Sequence, residues 1–154
     1  MLAKAIHEDY VRRRKADGSL PHDDPALRCW EELAESLRAS SRDQAVDIER
    51  KLASIGCDAV LREEGRSEAV EFEPDEIEML ARVEHVRWVE DRLRQGWRPG
   101  TRRDVAGKLS PYLVPWDELS EDVRDLDRDS VRAIPRLLAG SGLSIVRRPG
   151  RREA

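Results

Sequence analysis

His85, Trp88 and Arg92 follow one another at steps of three and four residues, and His7, Tyr10 and Arg14 repeat the pattern near the start of the chain. On an α-helix such steps bring all three side chains onto one face. An imidazole, a large ring and a guanidinium in one stripe can hold a flat, anionic molecule. The ring stacks, the guanidinium clamps a carboxylate or phosphate, and the imidazole reads an edge. Trp97, Gly100, Arg102, Arg103, Asp104 and Lys108 follow the second stripe and could wall a pocket beside it. The candidate ligand-binding residues are therefore His85, Trp88, Arg92, Trp97, Arg103 and Trp116, with His7, Tyr10 and Arg14 as counterparts in the first half. The second half is favoured, because Ser19 stands where it has Trp97. A competing reading is structural. It gives each His a backbone carbonyl, puts each ring in the core, and pairs each Arg with an acid such as Asp43, Asp47 or Asp129. On that reading the Trp97 segment is a longer surface loop packed by its own ring.

Other chemistry finds little support. The chain has no GxSxG, HExxH, phosphate-loop or dinucleotide fingerprint. His85 with Glu84 or Asp104 could perform acid–base chemistry, but no spacing selects it. The expectation is a non-enzymatic protein without a cofactor. No calcium-loop pattern occurs, and Asp122, Asp125, Asp127 and Asp129 are interleaved with Arg124 and Arg128, as on a solvated, salt-bridged surface. Cys29 and Cys57 lack the CxxC spacing of a metal or redox site and read as reduced thiols. A net charge of −4 argues against nucleic acid as a partner, although Trp and Arg are suitable stacking groups. Arg147, Arg148, Arg151 and Arg152 form a short basic tail, read as solvated. No apolar run approaches the roughly 20 residues that span a bilayer. The opening Met1-Leu2-Ala3-Lys4 has no signal-peptide core. A cytoplasmic location and no membrane contact are expected.

The two stripes belong to an internal duplication. Leu2 to Gly18 aligns with Leu80 to Gly96 at an offset of 78, and Pro25 to Leu33 aligns with Pro111 to Leu119 at an offset of 86. At that second offset Arg42-Asp43 meets Arg128-Asp129, Ile48 meets Ile134, Leu52 meets Leu138 and Gly56 meets Gly142. The second copy thus carries eight extra residues between Gly96 and Trp116.

Each copy has the same coarse plan. First helices are predicted over Leu2–Asp17 and Pro74–Gln95, ended by Gly18 and Gly96. A Pro-containing loop follows, and Trp30 and Trp116 open short acidic turns. Final helices are predicted over Ser41–Ile55 and Asp127–Ser141, the first with a capping box at Ser41–Gln44. Short strands come next at Cys57–Leu61 and Leu143–Arg147. A turn over Glu63–Arg66 and a returning strand at Ala69–Phe72 would make a hairpin. The expected organisation is a first repeat over 1–61, a linker or hairpin over 62–73, a second repeat over 74–148 and a tail over 149–154, folded as one unit. Leu2, Leu80, Ile48, Leu52, Ile134 and Leu138 are the expected core. The fold class is mainly α, with α+β character from a few short strands.

The second copy resembles the ryanodine receptor repeat, or RyR domain. The matching residues are His85, Trp88 and Arg92, then Gly96-Trp97, Gly100, Arg103-Asp104 and Lys108, then Pro111, Leu113-Val114-Pro115-Trp116 and Leu119, and finally Asp127-Arg128. The first copy matches with a shortened loop. Two departures are Pro99, where the family usually has an aromatic, and Ser110, where it often has His. The resemblance implies tandem repeats related by a pseudo-two-fold axis, mainly helical, and non-catalytic. It implies a cleft that can hold a nucleotide or drug-like molecule beside tryptophans, and in bacteria an accessory or sensor role in signalling proteins. The start directly in a helix suggests a piece of something longer. The expected function is binding a nucleotide-like or anionic aromatic small molecule. The alternative is a protein-interaction or oligomerisation module, whose partners would be other proteins or domains of a parent chain.

Overall fold

The computed structural model describes residues 1–18, 24–63 and 70–149, and over them the chain is mainly helical. Helix α1 spans Leu2–Ala16 and α3 spans Pro74–Arg94, within a residue of their predicted ends. Local chemistry accounts for that agreement. Pro74 occupies the first turn of α3, where its missing N–H costs nothing, and Glu73 and Glu76 form a reciprocal capping box. Gly18 and Gly96 follow the two helices at φ +85° and +89°, a backbone region that a Cβ disfavours. Short 3₁₀ turns at Trp30–Glu32 and Trp116–Glu118 occupy the predicted acidic turns.

The final helices differ from expectation. Helix α2 runs over Glu35–Ser54, so Ser41 lies inside it and donates to the Leu37 carbonyl at 3.3 Å rather than capping anything. The corresponding region of the second copy is broken into α4 (Glu121–Arg132) and α5 (Ile134–Gly140). Pro135 is the cause, since its ring cannot continue a helix but suits the first turn of a new one.

Strands β1 (Cys57–Leu61) and β4 (Leu143–Arg147) form where predicted, yet they pair with each other. They run antiparallel with Ala59 opposite Ile145. The expected returning strand is absent over Val70–Phe72, while Ala69 and Glu64–Arg66 lie outside the described residues. Between α3 and α4 a two-residue parallel bridge joins β2 (Arg98–Pro99) to β3 (Leu109–Ser110).

The chain divides into two units, Met1–Glu71 with Ala133–Ala154, and Phe72–Arg132. In the first, α1 lies on α2, the β1–β4 ribbon packs on α2 and α5, and Ile48, Leu52, Ile134 and Leu138 are buried as expected. Leu2 is only half-buried. In the second, α3 packs on α4, with Leu80, Trp116, Leu119 and Val131 in the core.

Asp9 is the main polar feature of the first unit. It is buried, accepts from Arg13 Nε at 3.0 Å on its own helix and from Arg136 Nη2 at 2.7 Å on α5, and also pairs with Arg12. Burial alone would raise its pKa, but the three guanidiniums outweigh burial and lower it. A lowered carboxylate pKa contributes stability at neutral pH that is lost as pH falls through the acid range below 3.8. Asp9→Asn is therefore expected to cost about 1.5–3 kcal/mol at pH 7, the range for hydrogen bonds to charged groups. Urea denaturation should show that cost shrinking towards acid pH.

Candidate functional site

His85 projects from the middle of α3 into the second unit and is buried. Its Nε2 lies 2.7 Å from the Val114 carbonyl oxygen, and its Nδ1 lies 3.4 Å from Asp127 Oδ2 on α4. Both ring nitrogens thus face acceptors, a setting that only an imidazolium fully satisfies. Burial opposes the charge, but Asp127 and the Val114 carbonyl overcome it and raise the His85 pKa above its ordinary 6.5. Burial also raises the Asp127 pKa, so the pair holds its proton more firmly than either group would alone in water. The imidazole lies between two indoles, stacked with Trp88 and edge-on to Trp116, each at a centroid distance of 6.0 Å.

Trp116 is enclosed by arginines. Arg82, Arg124 and Arg128 stand 5.7, 5.6 and 5.6 Å from its ring centroid. Such contacts favour the cation over the ring face. Arg124 and Arg128 are also held in place elsewhere. Arg124 donates to the Trp116 and Asp117 carbonyls, each at 3.1 Å, and Arg128 donates to Glu78 at 2.8 Å and to Glu121 and Asp125. These carboxylates raise the Arg128 pKa further, and Arg128 in turn lowers that of Glu78.

On the more open side of α3, Arg92 lies between two indoles, 5.7 Å from the Trp88 centroid and 5.4 Å from that of Trp97. Trp88, Arg92 and Trp97 are all partly exposed. The eight-residue insertion makes this arrangement. Lys108, at φ +53°, donates its ammonium to the Gln95 carbonyl at 2.8 Å, a cation on the negative end of α3. Gly100 passes so close to Leu109 that a Cβ there would sit 2.9 Å from the Leu109 Cβ. Asp104 turns the loop by accepting from Gly107 N at 2.9 Å. Arg103 lies on the exposed part of this loop.

The first copy repeats part of this plan. His7 Nε2 lies 2.7 Å from the Arg28 carbonyl, and Arg28 is the counterpart of Val114. Its ring meets Trp30 at 5.9 Å. Arg38 reaches the Trp30 carbonyl at 3.3 Å as Arg124 reaches that of Trp116, and Lys4 meets Glu31 where Arg82 meets Asp117. Arg42 binds Glu35 as Arg128 binds Glu121. Ser41 stands in the place of Asp127, so the acidic partner of the histidine belongs to the second copy. Tyr10 and Arg14 are half-buried, and Ser19 lies outside the described residues.

Residues 73–147 match the RyR domain family. The matched segment begins at the capping Glu73 and ends with β4, and it contains the whole Trp–His–Arg cluster. The segment is thus RyR-like, with α5 and β4, its last two elements, lying in the first unit. The structure groups five of the six candidates of the RyR-like segment into two overlapping sets, His85–Trp88–Trp116 and Trp88–Arg92–Trp97. Asp127, Arg82, Arg124 and Arg128 escaped sequence reasoning as parts of the cluster. Asp127 and Arg128 stand in the sequence as matches to the family and as part of an apparently solvated run of alternating charges, not as members of a cluster. Helical spacing of three and four from Glu121 through Arg124 to Arg128 was the signal for a common face. Among the described residues, no three His, Cys, Asp or Glu side chains gather to hold a metal ion, and no helix is long and apolar enough to cross a membrane.

Proposed function

We propose that this chain is a non-catalytic sensor module that binds a nucleotide-like or anionic aromatic small molecule. The observation that carries the reading is Arg92 held between Trp88 and Trp97 on a partly open face of the RyR-like segment. Two indole faces and a guanidinium offer stacking and anion recognition within one small surface. His85 and Trp116 sit behind it as a support that fixes the orientation of Trp88, and Arg103 is the flanking cation on the loop. His7, Tyr10 and Arg14 are the corresponding, weaker set, lacking the Trp97 loop.

The proposal includes a tandem pair of RyR-type repeats. Its support is the recurrence of one bonding plan at the sequence offsets: His to carbonyl, Arg to the Trp carbonyl, and Arg to the first-turn Glu. Equivalent strands β1 and β4 pairing antiparallel is the relation a pseudo-two-fold axis would give. The proposed setting is the cytoplasm of a bacterium, as part of a signalling protein. Its support is the resemblance and two cysteines outside any disulfide, one exposed at Cys29 and one buried at Cys57.

Thermal unfolding against nucleotides, dinucleotides and cyclic oligonucleotides tests the ligand reading. Ligand at about 100 times its Kd should add about 2.7 kcal/mol to native stability. The midpoint should rise for one chemical class and stay unchanged in Trp88→Ala, with folding of the variant checked by circular dichroism. No shift for any ligand would sink the sensor reading and favour an interaction module.

A further inference from the structure

The exposed side chains of α3 include Met79, Arg82, Val86, Glu90 and Leu93. Three of them are apolar, with Met79 42%, Val86 56% and Leu93 42% exposed. Met79, Arg82, Val86, Glu90 and Leu93 form one stripe centred on Val86. With about 100° between successive helical residues, Met79 and Leu93 fall about 20° to either side of Val86, and Arg82 and Glu90 about 40° to either side. The stripe is therefore complementary to its own reverse. Laid antiparallel with Val86 facing Val86, it sets Met79 against Leu93 and Arg82 against Glu90 in both directions. A parallel pairing would instead oppose Arg82 to Arg82 and Glu90 to Glu90.

We propose that this face of α3 is a self-association surface, on which a second copy of the chain docks antiparallel about a two-fold axis through Val86. The complementarity selects a second copy over an unrelated partner, because apolar and charged positions match under the reversal that an isologous dimer imposes. Arg82 reaches Asp117 at 3.4 Å and lies over Trp116, but its side chain is 49% exposed and can turn towards a facing Glu90. The stripe from Met79 to Leu93 is only about 21 Å long at 1.5 Å per residue. It therefore buries less than the roughly 800 Å² per partner of a standard stable complex. The dimer is weak and forms with rising concentration.

Sedimentation velocity on the whole chain over a concentration series tests this. A reversible monomer–dimer equilibrium is expected. Val86→Glu sets two carboxylates face to face on the axis and should abolish the dimer, while its thermal midpoint stays at that of the parent because the side chain is open in the monomer. Glu90→Arg and Arg82→Glu should each weaken self-association by about tenfold or more through like-charge opposition. Mixing those two variants should restore dimers, since each supplies the charge the other lacks. A chain that stays monomeric throughout overturns the proposal, as does a dimer indifferent to Val86→Glu, or two folded charge variants that fail to associate when mixed. Val86 and Glu90 are both exposed, so the first two variants keep the test decisive should Arg82→Glu fail to fold.

Discussion

Replacing Trp116 with alanine is expected to cost about 3–5 kcal/mol, the usual range for removing a large buried ring. The residue is 6% exposed, packs edge-on against His85 and lies within 6 Å of three guanidiniums. Its loss opens a cavity and leaves Arg82, Arg124 and Arg128 without the ring that offsets their mutual repulsion. Against a typical domain stability of about 5–15 kcal/mol, that is a large share. Urea denaturation followed by circular dichroism should show a lower midpoint with loss of helix signal. Trp30→Ala provides the comparison. Trp30 is only half-buried, so its cost should be clearly smaller. Equal costs would contradict the role assigned to the arginine enclosure.

His85→Ala is expected to rival that effect, at about 3–5 kcal/mol, because it removes one partner from a buried charged pair. The Val114 carbonyl and the Asp127 carboxylate would both lose the donor they face. A gentler change isolates the electrostatics. In the parent, the His85 pKa lies above 6.5, so the folded state holds a proton the unfolded state has released. That contribution is complete below the unfolded value and lost as pH rises through the folded one. The raised Asp127 pKa has the same sign. Stability should therefore fall as pH rises from the ordinary histidine value. In Asp127→Asn the strongest influence raising the His85 pKa disappears and burial prevails, so the pKa should drop and the falling slope should vanish. An NMR titration of the His85 ring in both proteins reads this directly. An unchanged His85 pKa in the variant would remove Asp127 from the account.

The chain's own order of residues determined those features whose causes lie within a few residues. Pro74, Glu73 and Glu76 start α3, and Gly96 ends it, through local dihedral and hydrogen-bond effects. The His–ring–Arg spacing put His85, Trp88 and Arg92 on one helix in the same way. The blocks that align at offsets of 78 and 86, on which the proposed tandem pair rests, were readable because they recur in order. Tertiary structure decided what depends on distant partners. Helix α2 begins six residues before Ser41 although Ala34 offers no side-chain cap, so packing rather than capping sets its start. The β1 strand takes β4 as its partner, because a five-residue strand carries too little pattern to choose a register. The sequence left the histidines two readings, an edge for a ligand or a satisfied backbone carbonyl, and the fold supplied the carbonyls of Arg28 and Val114, since a buried imidazole needs an acceptor. Trp116, whose chemistry was legible but whose neighbours were not, became the centre of an arginine enclosure only when α3 and α4 brought Arg82, Arg124 and Arg128 around it.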